Sequence, residues 1–392
     1  MNNNVNTYNG KLDLVLAISF SLLFFKTSLL YPIKVLTFPS NIYYVILPIY
    51  NFLVIFVGLL AFRRVNAVSF IFFLSLILYV LGSIVYFDTS PDSLEILSVF
   101  IKSVLVPFVV FIFIREYDLL YRVMLNLSRS VSMMLCILAP ISLLPNTNYM
   151  EYGFSLSLTL VIVASNVAYN KCFVKLDIVI LLLGLFVLFL FGNRGAFIAV
   201  ALLTFFLYFL SPKFKLISKI KTLVITITSL IVLLFSLLPI LKFVHFWLID
   251  LGYRSYATQK YINYLTGSGD LSSGRTSIYD YGLSLVNNNN FFPNGLNYFH
   301  SMSGELYSHN FIIDIFISHG FFAFILIAVL IFGLIFVLRV SYVTHLTLIF
   351  VPFFIYTILK LSLSSYVWYE LPFWMSVCLL FVYIYRCENN LD

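Results

Sequence analysis

The sequence predicts an all-α polytopic integral membrane protein with about twelve transmembrane helices and one large external loop. Three observations support this class. First, 62% of the 392 residues are hydrophobic and only 10% are charged. Second, the mean hydropathy is +1.03, far from that of soluble globular domains. Third, apolar runs of about 17 to 25 residues, each able to cross a ~30 Å hydrocarbon core, recur along almost the whole chain.

Twelve such runs define the predicted spans, and we treat residues 1–392 as a single membrane domain. The first run is expected to stay in the mature protein, because the opening segment lacks the basic start and the small-residue cleavage site of a secretory signal. In chain order the runs lie at about 13–31, 42–62, 67–87, 95–114, 124–144, 153–170, 176–192, 195–211, 222–247, 320–338, 343–362 and 367–385.

The orientation follows from the basic residues of the short loops, because Lys and Arg near span ends stay in the cytoplasm. With the N-terminus inside, the cytoplasmic side receives 13 of the 23 basic residues, and SPKFKLISKIK at 211–221 is the densest run. Lys34 is the main exception. Both termini are therefore predicted to be cytoplasmic. The net charge of +7 is explained by this topology and by contact with anionic lipids, so no nucleic-acid partner is expected.

One external loop, residues 248–319, is much longer than the other connections. A loop of roughly 70 residues is uncommon without structure or function of its own. Apolar residues at helical spacing in SSGRTSIYDYGLSLV, residues 272–286, predict a short helix along the membrane interface. The turn-forming segment NNNNFFPNG at 287–295 should end it. A second short helix is predicted to begin at SHNF, where Ser308 could act as the N-cap.

The predicted external face is rich in arginine and histidine. Arg binds phosphate oxygens in bidentate fashion, and a His near its reference pKa of ~6.5 can remove a proton from a sugar hydroxyl. Arg194 in FGNRGAF, Arg275 in SSGRTS and His309 in YSHN are the main candidates. Each also has an ordinary reading: a turn residue reaching lipid headgroups, a solvated loop residue and a histidine near a helix start. Local pattern alone does not decide between them.

The chain contains no Walker or Rossmann glycine pattern and no Cys/His cluster with zinc spacing, so neither a nucleotide nor a metal is expected. The first external loop, YPIKVLTFPSN, contains no carboxylate. Metal-dependent membrane glycosyltransferases that use lipid-linked donors resemble one another in an acidic motif at that place. Asp314 and Glu305 could orient a histidine or serve as the base, and nothing local ranks them.

The order of the motifs resembles the O-antigen polymerase and ligase superfamily. GNRG stands at the head of a span, SGR and PNG follow in a large external loop, and YSHN precedes a glycine that opens the next span. The motifs cover residues from about 190 to 322. The resemblance implies a GT-C-like fold in a bacterial inner membrane, with the large loop and the active site in the periplasm.

The resemblance also implies roles for individual residues. The arginines would hold the pyrophosphate of an undecaprenyl-linked saccharide, and the histidine would activate the hydroxyl of the acceptor. The acceptor would then attack the anomeric carbon of the donor with inversion, without a metal or another cofactor. The implied catalytic residues are Arg194, Arg275 and His309, and the implied substrate-binding residues are Arg254, Asn310 and Asp314.

Three activities remain open. A polymerase, which we favour, would join one undecaprenyl-linked repeat unit to another, with a chain-length regulator as a possible partner. A ligase would transfer the glycan to lipid A-core. A flippase should show repeated halves and charges lining a midplane cavity. The charges nearest to span interiors are Lys26, Lys102, Arg129 and Lys360, but no halves repeat.

Overall fold

The structure is a computed structural model. Apart from a few single residues, it describes residues 2–36, 48–50, 77–82, 116–140, 148–169, 174–191, 194–253, 255–268, 274–296, 298–305, 307–340, 345–364 and 370–377.

Every element with bounds among these residues is an α-helix. In chain order the helices are α1 (Asn2–Phe24), α2 (Lys26–Leu36), α3 (Tyr117–Ile137), α4 (Tyr149–Tyr169), α5 (Val174–Phe191), α6 (Arg194–Leu210), α7 (Leu216–Asp250), α8 (Tyr256–Leu265), α9 (Arg275–Asn288), α10 (Tyr298–Ser303), α11 (Phe311–His319), α12 (Phe322–Val340) and α13 (His345–Ser364).

The helical class predicted from the sequence is thus confirmed for the described residues. Among the described residues, the helices α4 and α5 are long and apolar enough to cross a membrane, and α1 and α2 together could form a third span. These apolar helices indicate a membrane location. The predicted spans at 42–62, 67–87 and 95–114 lie largely outside the described residues. The number of twelve spans stays a prediction.

The first predicted span differs from the structure. The run 13–31 was expected to be one helix, but a turn at Phe25 separates α1 from α2. Hydropathy reports only that a run is apolar and contains no information on whether the helix is continuous, which explains the difference. The described residues form two compact units, and one boundary between these units falls at this turn. The first contains residues 1–24, 45–124 and 274–392, and the second contains 25–44 and 125–273.

The second unit is built around α4, which packs against α5, α6 and α2. The contact with α5 is very close at Gly184, where a Cβ atom would lie 2.7 Å from the Cδ atoms of Leu160. Lys34, the exception in the predicted topology, forms an ion pair with Glu151 at 2.5 Å. A basic residue on the predicted external side is therefore compensated by a neighbouring carboxylate.

A buried ion pair joins α3 to α5 in this unit. The guanidinium of Arg129 donates two hydrogen bonds to the Asp177 carboxylate, from Nε at 2.6 Å and from Nη2 at 2.8 Å. The side-chain amide of Asn166 donates to the same carboxylate. Asp177 is fully buried. Since a buried charge is tolerated only when it is paired and hydrogen-bonded, this contact explains how a predicted span contains an arginine.

In the first unit, much of the large loop is folded into α9, α10 and α11. A cluster of Leu285, Val286, Phe299, Ile313 and Ile317 packs the three helices together. Helix α9 confirms the short helix predicted within residues 272–286. Its Gly282 permits the contact with α11, because a Cβ there would lie 2.8 Å from Cγ2 of Ile313.

The start of α11 corrects the predicted cap. The helix begins at Phe311, and its N-cap is Asn310, whose side-chain oxygen accepts a hydrogen bond from the Ile312 amide at 3.0 Å. Ser308 instead donates from its hydroxyl to the Asn310 carbonyl at 2.9 Å. Ser and Asn are both strong N-cap residues, so a sequence that contains both two positions apart does not identify the cap.

Candidate functional site

Arg275 is the first residue of α9, and Gly274 before it adopts a left-handed φ of 81°. The Arg275 guanidinium donates from Nη1 to the backbone carbonyl of Leu363 in the last turn of α13. The last four carbonyls of a helix have no intrahelical partner, and a cation near them is favourable. Among the described residues, this is the one hydrogen bond that the Arg275 side chain forms, whereas a guanidinium has five N–H donors. The Arg275 guanidinium therefore keeps N–H donors that can bind an anion.

His309 has an unusual backbone conformation, with φ at 60°. Few residues other than glycine adopt this region, and such residues are concentrated at functional sites. The His309 ring lies against the Tyr307 ring, with 4.4 Å between centroids. Its Nδ1 is buried without a hydrogen-bond partner in the described part of the chain. The backbone carbonyl accepts from the Tyr279 hydroxyl at 3.4 Å.

The protonation of His309 depends on Arg275. Burial lowers the pKa of His309, the positive charge of Arg275 lowers it further, and Glu305 partly opposes both effects. The imidazole is therefore neutral at neutral pH and able to accept a proton. The electrostatic effect also means that Arg275 and His309, 34 positions apart in the sequence, are near each other in the first unit.

Asp314 contacts the segment that contains His309. Its Oδ1 accepts a hydrogen bond from the Ser308 amide at 2.8 Å. Its Oδ2 is buried and has no partner among the described residues. Burial raises the pKa of Asp314 to about 6, against the lowering effect of the Ser308 hydrogen bonds. Asp314 is only 5% exposed, and its carboxylate contacts the Ser308 backbone next to His309.

Arg194 is the first residue of α6 and belongs to the second unit. Burial raises the pKa of Tyr261 in α8 to about 12, and the charge of Arg194 opposes this shift. The Tyr261 ring stacks on Phe189 of α5 with 5.4 Å between centroids. Arg194 thus lies close to a phenol that remains protonated and can donate a hydrogen bond.

The position of α8 beside Arg194 is fixed by two further contacts. Ser255 caps α8 by accepting from the Thr258 amide, and its hydroxyl donates to the Leu190 carbonyl at 2.7 Å. His245 lies 3.0 Å from the Thr258 hydroxyl through Nδ1, which agrees with a structural role for that histidine. The Ser255 and Tyr261 contacts hold α8 against the end of α5, and the His245 contact holds it against α7.

The structure therefore brings together Arg275, His309 and Asp314 within the first unit and places Arg194 beside Tyr261 in the second. Arg254 lies outside the described residues. Sequence reasoning missed Tyr261 and the carbonyl of Leu363. Tyr261 lies among many aromatic residues at a predicted interface, and a backbone carbonyl 88 positions from Arg275 leaves no signal in a sequence.

The strongly apolar helices indicate a helical membrane protein, and its large loop contains an arginine and a histidine that lie near each other. The family follows from comparison with known proteins. Residues 179–328 match the model of a family described as O-antigen ligase. This match is consistent with the O-antigen polymerase and ligase superfamily, and it confirms the resemblance seen in the motifs over this segment. No curated protein and no solved structure matches the chain.

Proposed function

We propose that the protein is an inverting, metal-independent glycosyltransferase that polymerises undecaprenyl-pyrophosphate-linked O-antigen repeat units. The reaction would take place at the periplasmic face of the bacterial inner membrane. The observation that carries the proposal is the family match, because residues 179–328 include Arg194, Arg275 and His309. The electrostatic effect of Arg275 on His309 supports it further, since one residue can bind the leaving group while the other acts on the acceptor.

In the proposed reaction, His309 removes the proton from a hydroxyl group of the acceptor sugar. The hydroxyl oxygen forms a bond to the anomeric carbon of the donor as the bond from that carbon to the pyrophosphate oxygen breaks. The electron pair of the broken bond leaves with undecaprenyl pyrophosphate, and the anomeric configuration inverts. The lowered pKa of His309 supports this role, because the imidazole must be neutral before it can act as a base.

Arg275 would stabilise the charge that develops on the leaving pyrophosphate, as preorganised donors do in many transferases. Binding of that anion would also offset the positive charge of Arg275. Since this charge lowers the pKa of His309, its neutralisation would raise the affinity of His309 for a proton. Donor binding would therefore strengthen the base at the moment when the acceptor is deprotonated.

The proposed partners are the lipid-linked donor, the lipid-linked acceptor and membrane lipids, together with a chain-length regulator. Arg194 and Arg254 would contribute further cations to the pyrophosphate. The Asn310 side-chain NH2 group donates to no residue in the described part of the chain, so it can contact a sugar while its oxygen caps α11. Asp314 would act on the substrate through the segment that contains His309.

A second candidate is an O-antigen ligase, which the description of the matching family favours. The two reactions share the donor and differ in the acceptor. Deletion of the gene followed by gel analysis of the surface polysaccharide separates them. A single repeat unit on lipid A-core is expected for a polymerase, and long chains retained on undecaprenyl pyrophosphate would indicate a ligase. Loss of every externally exposed unit would indicate a flippase.

The site assignment is tested by replacing Arg194, Arg275 or His309 singly with Ala in the complemented deletion strain. Each variant should reproduce the deletion phenotype at a normal level of protein in the membrane. Arg122→Ala is the matched control, because Arg122 is an exposed arginine paired with Asp118 on α3. Normal polysaccharide from all three site variants would contradict the assignment.

A further inference from the structure

The segment between α9 and α10 forms a turn with unfavourable backbone geometry. Asn290 and Phe291 have left-handed φ values of 49° and 60°, although neither is glycine. The Phe291 amide donates to the Val286 carbonyl at 3.1 Å, and the Phe292 amide donates to the Asn289 carbonyl at 2.9 Å. These bonds hold the turn in a conformation that bulky residues rarely adopt, so the surrounding structure must favour it.

The turn is clamped to the end of α11. The Phe321 amide donates to the Phe291 carbonyl at 2.8 Å, and the Gly295 amide donates to the Ser318 carbonyl at 3.1 Å. The Asn294 side chain donates to the Ile317 carbonyl at 3.0 Å. Gly320 is required here, because its φ is 57° and a Cβ atom would lie 2.1 Å from the Phe291 oxygen. The turn therefore satisfies carbonyls at the C-terminus of α11 and moves with that helix.

Aromatic side chains of the clamped turn and of the start of α12 are exposed. We call the exposed set the aromatic surface; it consists of Phe291, Phe292, Phe321, Phe322 and Phe324. Phe292 is 63% exposed and Phe324 is 62% exposed. The surface is continuous, since Phe316 contacts both Phe291 and Phe324, with centroid distances of 6.4 and 4.9 Å. Soluble proteins rarely expose a contiguous apolar surface of this kind to water.

We propose that the aromatic surface inserts into the lipid bilayer and anchors the large loop to the membrane surface. The choice of lipid rests on continuity. Phe322 and Phe324 of the aromatic surface belong to α12, a predicted span with further exposed apolar residues such as Ile325 and Phe332. The exposed turn residues Phe291 and Phe292 therefore adjoin a segment that is itself predicted to lie in lipid. Its other border is the run of uncharged asparagines at 287–290.

The anchor determines the position of His309 relative to the membrane, a consequence that rests on the proposed function. Helix α11 has nine residues, so about 13 Å separates its two ends. The aromatic surface is bonded to one end, and His309 directly precedes the cap of the other. Because the pyrophosphate of a lipid-linked donor lies at headgroup level, a base held at a fixed short distance from the bilayer needs no further element to reach it.

The test measures where the aromatic surface lies, without requiring activity. The four native cysteines are replaced with Ala, and Phe292→Cys introduces a single site for a nitroxide label on the turn, outside the predicted span 320–338. The full-length protein is reconstituted into vesicles of phosphatidylethanolamine and phosphatidylglycerol. Relaxation of the label by oxygen, which concentrates in the bilayer, is compared with relaxation by a water-soluble nickel chelate. Met302→Cys on α10, 51% exposed, is the matched control.

Oxygen should relax the label at position 292 several-fold more strongly than the nickel chelate does, and the order should reverse at position 302. Nickel access at position 292 equal to that at position 302 would overturn the proposal. Protection from both reagents would also overturn it, because the surface would then be covered by protein, and spin–spin broadening would identify a second copy of this chain. A failed polymerase assignment would leave these accessibilities unchanged, so the two proposals fail separately.

Discussion

Replacement of Asp314 with Asn should make the folded protein more stable above pH 6. In the structure the carboxylate is buried, one oxygen accepts from the Ser308 amide, and burial raises its pKa from 3.8 to about 6. The folded state therefore retains a proton between these values that the unfolded state has already released. Stability falls as the pH rises through this window and stays at the lower level above about pH 6.

The magnitude follows from the same shift. A rise from 3.8 to about 6 is a difference of about two units. At ~1.36 kcal/mol per unit, ionised Asp314 costs the folded state about 3 kcal/mol. The amide oxygen of an asparagine can keep the bond to Ser308, but its NH2 group would replace the Oδ2 atom that has no partner among the described residues. An unpaired buried donor costs about 1 kcal/mol or more, so the expected net gain is about 1–2 kcal/mol.

The assay is thermal unfolding of the purified protein in detergent at several values between pH 4 and pH 8. As the pH rises from 4 to 6, the midpoint temperature of the unmodified protein should decrease relative to that of the Asp314→Asn variant. At pH 7.5 the variant should have the higher midpoint temperature. Asp280→Asn on α9 is the control, because Asp280 is an exposed carboxylate in the same unit. Parallel curves for Asp314→Asn and the unmodified protein would refute the reasoning.

Three further predictions concern the site and the packing. Arg275→Lys should lower kcat about 10- to 100-fold, because an ammonium keeps the positive charge but cannot bind an anion in bidentate fashion. Arg275→Ala also removes the charge, so it should raise the pKa of His309 and move the acidic limb of the pH–rate profile to higher pH. Arg129→Met should destabilise the fold by about 3–5 kcal/mol, because the buried Asp177 carboxylate then loses its ion pair with the guanidinium. Adding Asp177→Asn should recover most of this loss in a double-mutant cycle. Gly320→Ala should lower the thermal midpoint and increase proteolysis of the large loop, since a Cβ would overlap a backbone carbonyl, and an unchanged proteolysis rate would contradict the clamp.

Much of the fold was predictable because hydropathy and helix periodicity report on local burial. The runs at 153–170 and 176–192 correspond to α4 and α5, and the amphipathic segment after Ser273 corresponds to α9. The break at Phe25 was not predictable, because an apolar run has the same hydropathy whether it forms one helix or two. Pattern also cannot decide between two good caps, which is why Ser308 was preferred to Asn310.

The candidate residues were found through the order of short motifs and the predicted topology. Arg275 and His309 were individually ordinary in the sequence, and in the structure the charge of Arg275 lowers the pKa of His309. What pattern reasoning could not supply is the environment of each group. The Leu363 carbonyl that holds Arg275 and the burial that lowers the pKa of His309 depend on contacts between segments far apart in the chain.

The ion pair between Arg129 and Asp177 has a consequence for biosynthesis. An arginine within a predicted span is unfavourable until its charge is paired, so α3 enters a bilayer less readily by itself. Its partner is translated 48 residues later, which takes about 2 to 10 s at the ordinary rate of synthesis. During that interval α3 should remain with the insertion machinery or a chaperone. A nascent chain arrested before Asp177 should therefore be degraded quickly, and Arg129→Leu should prolong its half-life.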